Sequence, residues 1–167
     1  MLIGFFALIL NPGFENGQLD RFSSPPGWNF YVIRSFAKGE LVSDAHSGKF
    51  AFLMRTRESS SPLMYSENGK GFLQSDVFPV EKGKKLNLSV WVKGDGRAML
   101  QIIWWERYDE ERATPCQHQQ DSSEPIQCKG EWEEIRLEVM PPPEATKAYI
   151  RLVGEDGDII YDDVEVK

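Results

Sequence analysis

Four large rings sit in runs where every second residue is apolar, each out of phase with its neighbours. Trp91 interrupts Leu88, Val90 and Val92, and Trp105 has the opposite parity to Leu100, Ile102 and Trp104. Tyr149 alternates with Ala148, Ile150 and Leu152, and Tyr31 with Trp28, Phe30 and Val32. Successive side chains of a strand point to opposite faces, so burying the apolar set turns these four rings outward. Gln101, Arg107 and Arg151 share the outward parity. Rings pack against apolar C–H faces, while amides and guanidinium groups form paired, planar hydrogen bonds. A sugar ring, with C–H faces and a rim of hydroxyls, suits that set if the outward rings share one sheet. Trp104 is expected in the core, Trp28 and Trp132 beneath loops, and Tyr108 at the rim.

Reaction chemistry has a weaker footing. The chain carries no Gly-x-Ser-x-Gly elbow, no His-Glu-x-x-His pair and no phosphate-cradling glycine motif. His46 lies in a turn and His118 in a polar loop, without a nucleophile in sequence register. Glu106, Asp109, Glu110 and Glu111 cluster beside Trp105. Two carboxylates suffice for glycoside cleavage, so this group reads either as a catalytic pair or as a solvated acidic loop, and the second is preferred. The chain is read as not an enzyme.

Charge narrows the partners. Asp and Glu number 26 against 19 Lys and Arg, a net charge of −7. Such a surface repels a phosphate backbone, which argues against nucleic acid. Neutral polymers are indifferent to it. The apolar stretch Met1–Leu10 is too short to span a bilayer, so no membrane partner is expected. It reads as a first strand or a signal remnant. The two cysteines, Cys116 and Cys128, flank a polar segment without the partners of a zinc site. They read as a disulfide in an exported protein, or as free thiols in a cytosolic one.

The elements that must position these groups are short strands. Lys85–Lys93, Ala98–Arg107, Ile135–Val139, Ala148–Leu152 and Ile160–Val166 all alternate, and Trp28–Ser35, Gly39–Asp44, Lys49–Arg55 and Phe72–Val80 are further candidates. Turn residues separate them at 81–84, 94–96, 141–143 and 155–158. No long 3.6-residue period occurs. The expected fold is all-β: one domain over residues 1–167, a two-sheet antiparallel β-sandwich of roughly ten strands. Segment 106–130 is expected to be its longest loop.

Several short motifs also fall in order along the chain. They are Asn11-Pro-Gly-Phe-Glu-Asn-Gly17, Gly27-Trp28, Ala45-His-Ser-Gly-Lys-Phe-Ala51, Ser89-Val-Trp-Val-Lys-Gly94, Gly130-Glu-Trp132 and Ile159-Ile-Tyr-Asp-Asp-Val-Glu-Val166. The ordered set resembles the carbohydrate-binding modules of families 4, 9, 16 and 22, which share a galactose-binding-like jelly roll. The resemblance implies a secreted, non-catalytic, monomeric module joined in cis to a glycoside hydrolase. It would bind plant polysaccharide such as β-glucan, xylan or mannan through Trp105, Trp91, Tyr31, Gln101, Arg151, Tyr149 and Arg107. It also implies a structural Ca2+ held by the carboxylates of Glu15 and Asp162, with backbone oxygens near Ser47 and Lys49. Asp162 is preferred to Asp163 because its parity matches Val164 and Val166. The rival readings are a structural or adhesive domain of the same fold without a sugar site, and a small jelly-roll hydrolase or lyase.

Overall fold

A computed structural model describes residues 9–34, 36–57, 69–106 and 119–167 of the chain. Twelve strands, and no helix, lie among the described residues: β1 (Trp28–Arg34), β2 (Lys38–Val42), β3 (Ala51–Arg55), β4 (Lys70–Ser75), β5 (Phe78–Pro79), β6 (Leu86–Gly94), β7 (Arg97–Glu106), β8 (Gln120–Ser122), β9 (Ile126–Gln127), β10 (Glu133–Val139), β11 (Ala145–Glu155) and β12 (Asp158–Val166). They form two antiparallel sheets. The seven-stranded sheet has the order β1-β4-β11-β7-β8, with β5 on β11 and β9 on β7. The five-stranded sheet has the order β10-β6-β12-β3-β2. This is the expected jelly-roll sandwich.

Alternation explains why the sheets stack. Leu86, Leu88, Val90 and Val92 of β6 are buried, as are Leu100, Ile102 and Trp104 of β7 and Ala148, Ile150 and Leu152 of β11. Each buried Leu, Ile or Val side chain among them stabilises the fold by about 1.5–3 kcal/mol relative to exposure, and neither sheet could bury its apolar face alone. Tyr161 is fully buried, and its hydroxyl donates to the Val153 carbonyl at 2.7 Å.

Three details differ from expectation. The single strand expected over Phe72–Val80 is divided into β4 and β5, and both pieces pair with β11. Ser75 Oγ takes the amide of Ile150 at the break, and Pro79 follows with no N–H to give a ladder. Segment 106–130 is not wholly a loop, since β8 and β9 both pair with β7. The last strand changes parity: its register shifts between Asp162 and Glu165, and Asp163 takes a left-handed φ of 45°. The bulge turns Val164 into the core although Asp162, two residues earlier, pairs across the ladder with outward Trp91. Parity therefore does not group Asp162 with Val164. The first strand expected over Met1–Leu10 falls mostly outside the described residues; Ile9 and Leu10 belong to no strand.

Candidate functional site

The outer face of the seven-stranded sheet is organised in rows that cross the strands. One row is polar from edge to edge. Asn29 of β1 pairs with Gln74 of β4, Gln74 with Arg151 of β11, Arg151 with Gln101 of β7, and Gln101 with Ser122 of β8. Strands lie about 4.8 Å apart, so five of them carry this row over about 19 Å. An apolar row runs along one side through Tyr31, Phe72, Val153 and Met99. On the other side run Tyr149, Ile103 and Gln120, and beyond them Trp105 opposite Lys147.

Arg151 is the centre of the polar row. Its guanidinium carbon lies 4.3 Å from the centroid of the Phe72 ring and 5.4 Å from that of Tyr149. Its Nε donates to Gln74 Oε1 at 3.0 Å and its Nη2 to the Tyr149 hydroxyl at 3.3 Å. Two rings and two hydrogen bonds thus fix a planar donor that has no carboxylate partner and no acceptor for Nη1 among the described residues. Tyr31 stacks beside Phe72 at 4.9 Å and stays 44 % exposed. Gln101 donates to Ser122 Oγ at 3.1 Å. Flat rings flanking a line of amides and one preorganised guanidinium can hold a ligand that is apolar on its faces and hydroxylated at its rim.

Five residues expected to bind sugar meet on this face: Tyr31, Gln101, Trp105, Tyr149 and Arg151. Tyr149 departs from expectation in one respect. It points outward, yet it is only 7 % exposed because Arg151 lies over it, so it supports the guanidinium and does not offer a ring to solvent. Trp105 is half-buried. Arg107 lies outside the described residues, as do Tyr108, His118, Cys116 and the acidic residues 109–111, and the side chain of Glu106 is likewise not described. Phe72, Gln74, Asn29 and Ser122 were not expected. The signal for two of them was present, because Phe72 and Gln74 alternate with buried Leu73.

Trp91 does not join this group. It lies on the outer face of the other sheet, where His46 stacks flat on it with centroids 4.0 Å apart and planes at 12°. Trp132 meets the same imidazole edge-on at 5.5 Å. The stack pins the 45–50 turn over Asp162. The Asp162 carboxylate is fully buried and accepts the amides of His46 (2.8 Å), Ser47 (3.1 Å) and Asp163 (2.8 Å). Burial pushes its pKa above the usual carboxylate value, more than those amides pull it down. Asp163 accepts from His46 Nδ1 at 2.8 Å and from Ser47 Oγ at 2.7 Å. Glu15 Oε1 accepts the amides of Lys49 and Phe50 at 2.8 and 3.0 Å.

These are the groups that the resemblance assigns to a cation. The amides of Ser47 and Lys49, not their carbonyls, face the two carboxylates. No cluster of three or more His, Cys, Asp or Glu side chains with metal-holding spacing occurs among the described residues. The chemistry nonetheless fits a hard cation. Among the described residues, Asp162 is a buried carboxylate without a Lys or Arg partner, Glu15 Oε2 accepts from no protein donor, and the carbonyls of Ser47 and Lys49 enter no hydrogen bond. Cys128 is a buried core thiol whose pKa burial raises to about 11, which makes it inert near neutral pH.

No protein-family model matches the chain, and no curated protein matches its sequence. Solved structures do match in shape. A family 16 carbohydrate-binding module superposes with a TM-score of 0.63 at 13% identity, over 96% of this chain and 99% of that one. The CBM22-1 xylan-binding domain from Paenibacillus barcinonensis Xyn10C gives 0.56 at 15% identity, over 93% and 90%. The enzymatically active domain of bacteriophage CBA120 tailspike protein 4 gives 0.73 at 12% identity; the match covers 96% of this chain but 21% of that one. At these identities the likeness is one of fold: the chain has the jelly roll of carbohydrate-binding modules.

Proposed function

We propose that the chain is a non-catalytic carbohydrate-binding module that holds a plant polysaccharide, such as β-glucan, xylan or mannan, against the outer face of the seven-stranded sheet. The observation that carries this reading is the polar row of Asn29, Gln74, Arg151, Gln101 and Ser122 running between apolar flanks. Pyranose faces lie on Tyr31 and Trp105. Hydroxyls take the free edge of Arg151 and the amides beside it. The module is secreted, acts as a monomer, and concentrates an attached glycoside hydrolase on its substrate. The jelly rolls of the family 16 and family 22 modules support the reading.

Affinity electrophoresis against a panel of soluble neutral polysaccharides tests it. Retention without release of reducing sugar is expected for at least one polymer. Arg151→Ala should lower affinity about a hundredfold, or about 2.7 kcal/mol, with the melting temperature nearly unchanged. Retention that survives Arg151→Ala would move the site elsewhere, and product release would make the chain an enzyme.

Ca2+ belongs to the same proposal as a structural ion near Glu15 and Asp162, where it would neutralise the buried carboxylate and tie the first loop to the last strand. Chelation should lower the melting temperature by several degrees, as expected for loss of a ligand that binds only the folded state. An unchanged melting curve with and without EDTA would remove the metal from the account.

A further inference from the structure

The polar row does not run off the sheet at its β1 end. Trp28 and Phe30, the neighbours of Asn29, use their outward amides on the 20–26 loop: Trp28 N–H donates to the Pro25 carbonyl at 3.0 Å and Phe30 N–H to Ser24 Oγ at 2.9 Å. The loop therefore closes the edge of β1 where the row arrives. The loop itself is braced, since Asp20 Oδ1 takes the amides of Phe22 and Ser24 at 2.8 and 2.9 Å. Between loop and sheet is a cavity of about 370 Å³, bounded by the apolar surfaces of Pro25 and Pro26 and by Gln18, Asp20, Asn29 and Asp76.

One of these residues belongs to the binding face: Asn29 is the terminal member of the polar row. Exposed Asp76 follows the end of β4 and is held near it by its amide, which donates to the Gly27 carbonyl at 2.9 Å. The cavity is thus continuous with the row. Its polar groups are unengaged: the side chains of Gln18, Asn29 and Asp76 enter no hydrogen bond among the described residues. Neither Asp20 nor Asp76 has a cationic partner among the described residues. Two amides can donate and accept, while carboxylates only accept, and they accept best from hydroxyls. Two carboxylates without counter-charge also disfavour a ligand that is itself anionic.

We propose that this cavity is a terminal subsite that takes the last, uncharged sugar unit of a chain whose preceding units lie along the polar row. The inference rests on the binding-module reading and adds to it a direction and an end. A chain that follows the row toward β1 meets the wall made by Pro25 and Pro26, so its end is what enters. Asn29 and Gln18 orient the ring by its hydroxyls, and Asp76 and the free Oδ2 of Asp20 accept from them. Pro25 and Pro26 supply apolar contact for its C–H face.

The test is calorimetric titration with a polysaccharide retained in electrophoresis, before and after limited digestion to shorter chains. The number of sites per gram should rise in proportion to the number of chain ends. Asn29→Ala and Asp76→Ala, both at exposed positions, should each weaken binding of an oligosaccharide about tenfold. An oligosaccharide oxidised to a carboxylate at either end should bind no better than the unmodified one, and at one end clearly worse. Site number that follows chain length, with both variants at full affinity, would overturn the terminal subsite and leave the binding module intact. Absence of binding to every polysaccharide and oligosaccharide would overturn both.

Discussion

The two outer faces of the sandwich carry similar side chains and use them differently. On the seven-stranded sheet, Tyr31, Phe72 and Arg151 form a platform whose members hold one another and leave ring edges and a donor toward solvent. On the five-stranded sheet, Trp91 and Trp132 are engaged by His46, and the turn that carries His46 roofs a buried carboxylate. Outward parity is the same in both. What separates them is whether a turn lies above. An outward ring is left toward solvent on one face and clamped under a turn on the other, and the distinction rests on contacts between residues far apart in sequence.

That contrast can be broken from either side. The largest effect is expected on the clamped face. Asp162→Ala would strand three backbone amides and empty the space beneath the turn, at a cost of about 3 kcal/mol and a fall in melting temperature of about 9 °C; thermal melting checks it. Trp91→Ala comes next, with about 2 kcal/mol of lost stability and polysaccharide affinity unchanged in titration below the melting transition. A fall in affinity without a fall in stability would make the five-stranded face a binding surface too. The smallest effect is expected on the platform: Tyr31→Ala should weaken polysaccharide binding about fivefold, close to 1 kcal/mol, and leave the melting curve in place. A Tyr31 variant that melts early but binds normally would reverse the roles assigned to the two faces.

The sandwich was legible because its strands alternate without interruption where they matter most. Leu86 to Val92 and Leu100 to Trp104 declare their buried faces by spacing alone, and the structure buries those residues. The platform was half legible for the same reason. Parity placed Tyr31, Gln101, Trp105, Tyr149 and Arg151 outward, but parity does not say which strands share a sheet, so Trp91 was grouped with them. Nor does it say what covers what. Tyr149 points outward and is still sealed, because an arginine two residues on folds back across it. The end cavity left no periodic trace, since its wall is a turn of Pro and Ser residues whose role depends on amide bonds to β1.

Asp163 is the one residue of β12 that the ladder does not need. Without it, Ile159, Tyr161 and Val164 would fall inward at every second position, and Glu165 would still face water. The chain accommodates an additional amino acid in its final strand, in a left-handed conformation that non-glycine residues seldom adopt, and that residue's carboxylate anchors both His46 and Ser47. The local backbone cost is thereby tied to the attachment of a distant turn. Shortening β12 by that residue would leave the sheet regular and remove two of the turn's side-chain tethers, so that the turn would depend on the amides that Asp162 accepts and on the His46–Trp91 stack.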